Sequence, residues 1–261
     1  MEFGISNLIR MNAATTPLTW RILRVPKRGH TLEEYEDAAA GHGLLGRFAV
    51  ADGATESAFA GPWASALAEA FVQNPVSPGG WAGWLPEVRR RWLKEVGDQE
   101  LPWYLEEKFQ QGAYATLLGI ELALIEGAWE WQAVAVGDCC LFHLRGDSLL
   151  CSFPLERASE FDTRPELLGS RDGDSPRDHR AKGRARFGDS FLLLSDALAQ
   201  WALKREETGR PPWRELRDLL TGCSPQLDFE AWVEARWEAK DLKTDDLTLL
   251  AVDLPQAEDR P

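Results

Sequence analysis

Positive charge is what this sequence has least of: 29 Lys and Arg stand against 42 Asp and Glu, a formal net charge of -13. Such a chain is a poor match for nucleic acid or an anionic membrane as its main partner. No stretch approaches 18 consecutive apolar residues, and the N-terminus lacks a basic region followed by an apolar signal core, so a soluble, cytoplasmic protein is expected. Met11 leaves the preceding residues readable as a dispensable extension. Its four cysteines, Cys139, Cys140, Cys151 and Cys223, form no C-x-x-C, which argues against a disulfide framework or a zinc site. The four histidines are scattered, with His143 inside a strand-like run and His30, His42 and His179 in polar segments. His30, near an acidic stretch, is the one candidate for acid duty. No fixed-period repeat and no Gly/Ser-rich or Pro-rich linker divides the chain.

What the chain does have is core material, 44% hydrophobic residues with 12 tryptophans, enough for one substantial domain. Residues 19 to 27 read as a strand. The acidic segment "GHTLEEYEDAAAGHG" that follows reads as polar. Phe59, Trp63, Leu67, Ala70 and Phe71 recur at helical spacing, with Thr55 or Ser57 as candidate caps and Glu56 near the positive end of the dipole. Trp81, Trp84, Leu85, Val88, Trp92 and Val96 predict a second helix whose tryptophans face the core, and a third starts near Pro102. From Ala113 strands come densely: the run to Leu124, then 129 to 138, 140 to 153 with a hairpin turn at Arg145-Gly146-Asp147, 189 to 196 and 245 to 254. Residues 196 to 240 return to helical patterning. Residues 154 to 187 are polar and turn-rich, which reads as a flap or inserted lobe, and "DGDSPRD" within them fails as an EF-hand because Gly183 stands where the last ligand should be. This order predicts an α+β fold.

Carboxylates sit at the strand ends. Asp52 follows "FAVA", Asp138 follows "AVAVG", Asp196 follows "FLLLS", and Asp245 and Asp246 precede "LTLLAV". Asp is common where strands turn, so each could be a turn residue. If the strands share a sheet, however, converging anions need a cation, and oxygen-only ligation favours Mg2+ or Mn2+ over zinc. Two such ions would activate a bridging water for in-line attack on a phosphoryl group. Composition and spacing alone leave the choice open.

The ordered set narrows it. "EYEDA" at 34 to 38, "VADGA" at 50 to 54, "GAYATLL" at 112 to 118, "VAVGDCCLFHLRGDSL" at 134 to 149, "FGDSFLLLSDAL" at 187 to 198 and "KTDDLTLLAV" at 243 to 252 resemble, in order, the motifs of the PPM (type 2C) metal-dependent Ser/Thr protein phosphatases, bacterial type. The resemblance implies a four-layer αββα sandwich of two antiparallel β-sheets flanked by helices. It implies one phosphatase domain over 19–256, with an N-terminal extension at 1–18 and a flap at 154–187. It also implies two Mn2+ or Mg2+ ions, with a third, weaker site. By position, Asp52 would bridge two ions and the Gly53 carbonyl would ligate one. Asp196 and Asp245 would be the other direct carboxylates, Glu36 and Asp37 would hold metal-bound waters, and Asp138 with Asp196 would serve the third site. The implied activity is hydrolysis of phosphoserine and phosphothreonine in proteins by a monomer that opposes a cognate Ser/Thr kinase.

The sequence departs from that pattern at four places. Leu32 stands where the family usually has a phosphate-binding arginine, with Arg28 and Arg171 as possible substitutes. Ala197 replaces the glycine of "SDG", Asp246 replaces the asparagine of "DN", and Ala54 replaces a histidine that bacterial relatives often lack as well. A pseudophosphatase that binds partners without turnover, and an unrelated metallohydrolase of small phosphoesters, are therefore the competing expectations.

Overall fold

A computed structural model describes residues 17–55, 57–97, 103–161, 164–171, 173 and 175–257. The expected extension, apart from Pro17 and Leu18, lies outside them, as do Glu56, Pro102 and Asp172. Two five-stranded antiparallel sheets form the centre. The first has the order β1 (Thr19–Val25), β12 (Leu247–Asp253), β11 (Asp189–Leu194), β7 (Cys140–Arg145), β8 (Ser148–Phe153). The second runs β10 (His179–Ala185), β6 (Ala128–Val136), β5 (Leu117–Ile125), β3 (Arg47–Ala51), β2 (Ala38–His42). A short ladder joins β4 (Tyr114–Ala115) to β9 (Leu168–Gly169).

Side-chain alternation explains the layering. In β3, Phe48 and Val50 point into the space between the sheets, where they meet Ile120, Phe191, Leu193 and Val252. Ala49 and Ala51 face the other way, against α1 (Ala60–Gln73) and α2 (Trp81–Val96). β11 and β12 behave alike: Leu192, Leu194 and Leu249 turn outward onto α4 (Asp196–Glu207), α5 (Trp213–Thr221) and α6 (Pro225–Glu238). Central strands such as β3, β11 and β12 are apolar on both faces because each sheet is covered on both. The result is the expected αββα sandwich. The helix after Pro102 is α3 (Trp103–Gln111).

Local details differ from the sequence reading. "AAAGH", read as part of a polar segment, is edge strand β2, paired in register with β3 from Ala38↔Ala51 to His42↔Arg47. Part of the stretch read as a flap is β10, paired with β6 over seven residues. Neither Thr55 nor Ser57 caps α1. Its first turn is entered through Phe59 in the left-handed region (φ 60°), while the Ser57 hydroxyl donates to Ala54 O at 2.8 Å and accepts from Tyr114 N. Ser57 therefore braces the loop that follows Asp52.

Candidate metal centre

Chain direction places the acidic strand ends together. β3 ends at Ala51, β6 at Val136 and β11 at Leu194, while β2, β7 and β12 start at Ala38, Cys140 and Leu247. The antiparallel registers put these six termini at one end of the sandwich. Glu36, Asp37, Asp52 and Asp138 come from the second sheet and its exit into β7, and Asp196 and Asp245 come from the first.

Several of these carboxylates lie within reach of one another's charge. Burial, followed by the charges of Asp37, Asp196, Asp138 and Asp245, pushes the Asp52 carboxyl well above the usual carboxylate range. Burial, with Asp246 and Asp196 adding to it, pushes Asp37 up to about 7, although Thr248 Oγ1 donates to its Oδ2 at 2.8 Å. Asp37 is only 5% exposed, and its Oδ1 has no hydrogen-bond partner. A buried carboxylate oxygen left bare is costly and asks for a cation or a proton.

The backbone around these groups is stapled across the sheets. Asp52 N donates to Thr116 Oγ1 at 3.0 Å, and Thr116 N donates to Asp52 O at 2.8 Å. A Cβ on Gly53 would lie 2.7 Å from Glu36 O and 2.9 Å from Ala60 Cβ, so only glycine lets the acidic segment and α1 press this close. Gly137, at φ 97°, makes the tight turn that carries β6 into Asp138, which is buried. Tyr35 donates its hydroxyl to Leu247 O at 3.0 Å, so the segment bearing Glu36 and Asp37 is tied to the start of β12.

Asp246, whose role the sequence left open, completes this staple. Its Oδ1 accepts from Lys27 N at 2.7 Å and its Oδ2 from Glu36 N at 2.8 Å. Both oxygens act as acceptors, which a carboxylate can satisfy and an asparagine amide cannot. Lys27 Nζ reaches Glu36 Oε2 at 3.3 Å, a second contact that sequence spacing does not reveal.

Asp196 and Asp245 are held in matching ways. Asp196 Oδ1 accepts from Ala197 N at 2.5 Å, and Asp245 Oδ1 accepts from Asp246 N at 3.1 Å. Their Oδ2 atoms share the ammonium of Lys243, at 3.2 and 2.8 Å. Burial works against the Lys243 charge, but Asp196 and Asp245 outweigh it and hold its pKa above the ordinary lysine value. Among the described residues, no three His, Cys, Asp or Glu side chains are already closed around a common cation position. The donor set is otherwise right for a hard divalent cation: oxygen throughout, excess negative charge, a bare buried oxygen on Asp37 and a glycine cradle.

The arginine question is answered in part. Leu32 is 69% exposed and makes no substitute for a cation. Arg28 pairs with Glu234 and lies over Trp237, while Arg171 stacks over Phe109, 4.8 Å from its centroid, and donates to Phe109 O. Both are committed away from the carboxylates. His143 is a core residue, hydrogen-bonded to Asp189 at 2.8 Å. His30 sits in an exposed turn with its N–H on Lys27 O. Beside the centre, a groove of about 660 Å³ is bounded by Ala197, Gln200, Trp201, Lys204, Trp237 and Lys243.

No family model and no curated protein matches the sequence. Solved structures do match the fold. PppA, a key regulatory component of T6SS in Pseudomonas aeruginosa, is 20% identical, with a TM-score of 0.58 over 92% of this chain and 98% of that one. The PPM Ser-Thr phosphatase MsPP from Mycobacterium smegmatis, in complex with cacodylate, is 19% identical with a TM-score of 0.53 over 92% of this chain and 100% of that one. The catalytic domain of the serine/threonine protein phosphatase PstP, in complex with two manganese ions, is 20% identical with a TM-score of 0.53 over the same shares, 92% and 100%. The chain has the fold of the PPM-type Ser/Thr phosphatases.

Proposed function

We propose that this chain is a metal-dependent hydrolase of phosphoserine and phosphothreonine in proteins, working at the centre around Asp52. The observation that carries the reading is the placement of the strand ends bearing Asp37, Asp52, Asp138, Asp196 and Asp245 at one end of a PPM-type fold, within reach of one another's charge. In this reading Asp52 would be the shared ligand, the Gly53 carbonyl would be a neighbouring one, and Asp196 and Asp245 would be the other direct carboxylates. Glu36 and Asp37 hold water in the outer sphere, and Asp138 with Asp196 serves a third site. Mn2+ or Mg2+ bound there supplies positive charge for the phosphoryl oxygens and lowers the pKa of the attacking water.

The chain's own residues fit that division of labour. Backbone N–H groups pin the Oδ1 atoms of Asp196 and Asp245, which leaves each Oδ2 to face a cation. Burial and then the Asp52 charge push the Cys139 thiol well above its ordinary pKa. The groove along α4 gives a peptide segment a way to the centre. Among the described residues no helix is long and apolar enough to cross a membrane. A phosphorylated protein is the substrate in this reading, a Ser/Thr kinase its counterpart, and the protein a cytoplasmic monomer.

The test is hydrolysis of p-nitrophenyl phosphate and a phosphothreonine peptide with and without Mn2+. Activity that requires Mn2+ and is lost in Asp52→Asn and Asp196→Asn, with circular dichroism unchanged, is the expected result. Retained activity in either variant overturns it. One observation favours a second reading, a pseudophosphatase: Leu32 brings no cation, and Arg28 and Arg171 are engaged elsewhere. Mn2+ binding without turnover of either substrate would select it.

A further inference from the structure

Lys243 is placed by its backbone, and its ammonium lands where a cation is wanted. Helix α6 ends in a turn with Lys240 in the left-handed region (φ 55°), closed by Asp241 N donating to Arg236 O at 2.9 Å. Leu242 is buried, and Trp237 Nε1 donates to Lys243 O at 3.0 Å. From this anchored position the ammonium spans Asp196 Oδ2 and Asp245 Oδ2, the two oxygens that no backbone N–H satisfies. Its side chain is 55% exposed, so the open groove lets it swing outward. Asp37 Oδ1, by contrast, is left bare, so one lysine neutralises only part of the cluster.

We propose that Lys243 is a tethered counter-cation that divalent metal must displace. The inference rests on the reading of this cluster as a metal centre. In the metal-free protein the ammonium holds the Asp196–Asp245 pair together and limits their repulsion. Metal binding is then an exchange: two charge-assisted hydrogen bonds break, the ammonium moves into the groove, and the cation takes both Oδ2 atoms. If the pair is engaged by Lys243 about nine-tenths of the time, only about one-tenth of the protein is competent to bind, and affinity falls about tenfold. The lysine therefore sets a threshold of metal concentration below which the centre stays closed.

Calorimetric titration of Mn2+ into the full chain tests this, with wild type, Lys243→Gln, Lys243→Arg and Lys204→Gln compared. Lys204 is an exposed lysine on α4 in the same groove wall and controls for a general change of charge. Lys243→Gln is expected to bind Mn2+ about tenfold tighter, Lys243→Arg to stay near wild type, and Lys204→Gln to shift affinity less than twofold. The metal-free Lys243→Gln protein should also melt at lower temperature than wild type, with the difference removed by saturating Mn2+. Equal or weaker Mn2+ affinity in Lys243→Gln, or equal tightening in Lys204→Gln, overturns the exchange role and leaves the metal-centre reading standing. Absence of Mn2+ binding in both wild type and Lys243→Gln overturns both.

Discussion

Strand β11 carries an aspartate near each end, and the two could hardly be treated more differently. Asp189, at its start, is 1% exposed and accepts from Arg145 Nε and Nη2 at 2.8 and 2.9 Å, from His143 Nε2 at 2.8 Å and from Arg186 N at 2.8 Å. Burial raises its pKa, but these donors outweigh burial and hold the carboxyl below its usual range. Asp196, just beyond the other end, adds its charge to those of Asp37, Asp52, Asp138 and Asp245. One end spends its polar groups on satisfying a carboxylate. The other gathers carboxylates faster than it gathers donors. An end of a sheet that stays unsatisfied marks where an external cation belongs, and the satisfied end marks a structural clamp.

The comparison can be broken most sharply at its acidic pole. Asp52→Asn should lower Mn2+-dependent hydrolysis on the order of a thousandfold, about 4 kcal/mol of transition-state stabilisation, as read by steady-state kinetics. The same variant should not destabilise the metal-free protein, because it removes a charge that burial and its neighbours already oppose. At the other pole, Asp189→Ala should cost about 3 kcal/mol in urea unfolding, since it strands the His143 ring and the Arg186 N–H without their acceptor. Its Mn2+ affinity should match wild type. A metal-affinity loss there, or a stability loss of that size in Asp52→Asn, would erase the distinction.

Acid should separate the poles by sign. A folded-state Asp37 pKa of about 7, against 3.8 ordinarily, means that the native protein binds more protons than the unfolded chain between those values. Asp37 therefore contributes a penalty that grows as pH rises from about 4 to about 7 and then levels off. Unfolding of metal-free wild type and Asp37→Asn at intervals across that range isolates this contribution, and a flat difference would refute it. Asp189, with its lowered pKa, works oppositely: its contribution is complete above the ordinary carboxylate pKa and is lost as pH falls through the folded value. The smallest effect concerns Asp246→Asn, which replaces one of two accepting oxygens with a donor facing an N–H. A cost of about 1 to 2 kcal/mol is expected by chemical denaturation, together with weaker Mn2+ binding because Glu36 loses its anchor.

Much of the frame is legible in the sequence. Trp81 to Val96 and the runs around Leu117, Val134, Leu193 and Leu250 carry enough periodicity to declare themselves. β2 did not, because Ala and Gly have little intrinsic preference for strands and "AAAGH" becomes one only by pairing with β3. β10 escaped for a related reason: "HRAKGRA" is an edge strand, and its ladder to β6 is a backbone matter that side chains scarcely announce. The entry into α1 was misread because Ser57 has a better use in the loop behind Asp52 than at a cap.

The candidate site divides along the same line. Each acidic strand end is a local property, set by where an apolar run stops, so Asp52, Asp138, Asp196 and Asp245 could be named from the chain alone. Whether they meet is not local. It depends on two sheets stacking with particular strand ends facing the same way, and on Asp246 and Tyr35 stapling the segment with Glu36 and Asp37 to β12, more than two hundred residues away in sequence. Asp189 and Asp196 flank the same apolar run in "GDSFLLLSDAL"; the sequence singled out Asp196, and the donors brought by β7 make Asp189 a clamp. Lys243 likewise reads as an ordinary loop lysine until α6 ends and Trp237 fixes its carbonyl. Sequence determined which residues lie where strands end, because hydrophobic periodicity is written residue by residue. Tertiary structure decided which of those charges are paid off and which are left to a cation, because Coulomb interactions act through space and not along the chain.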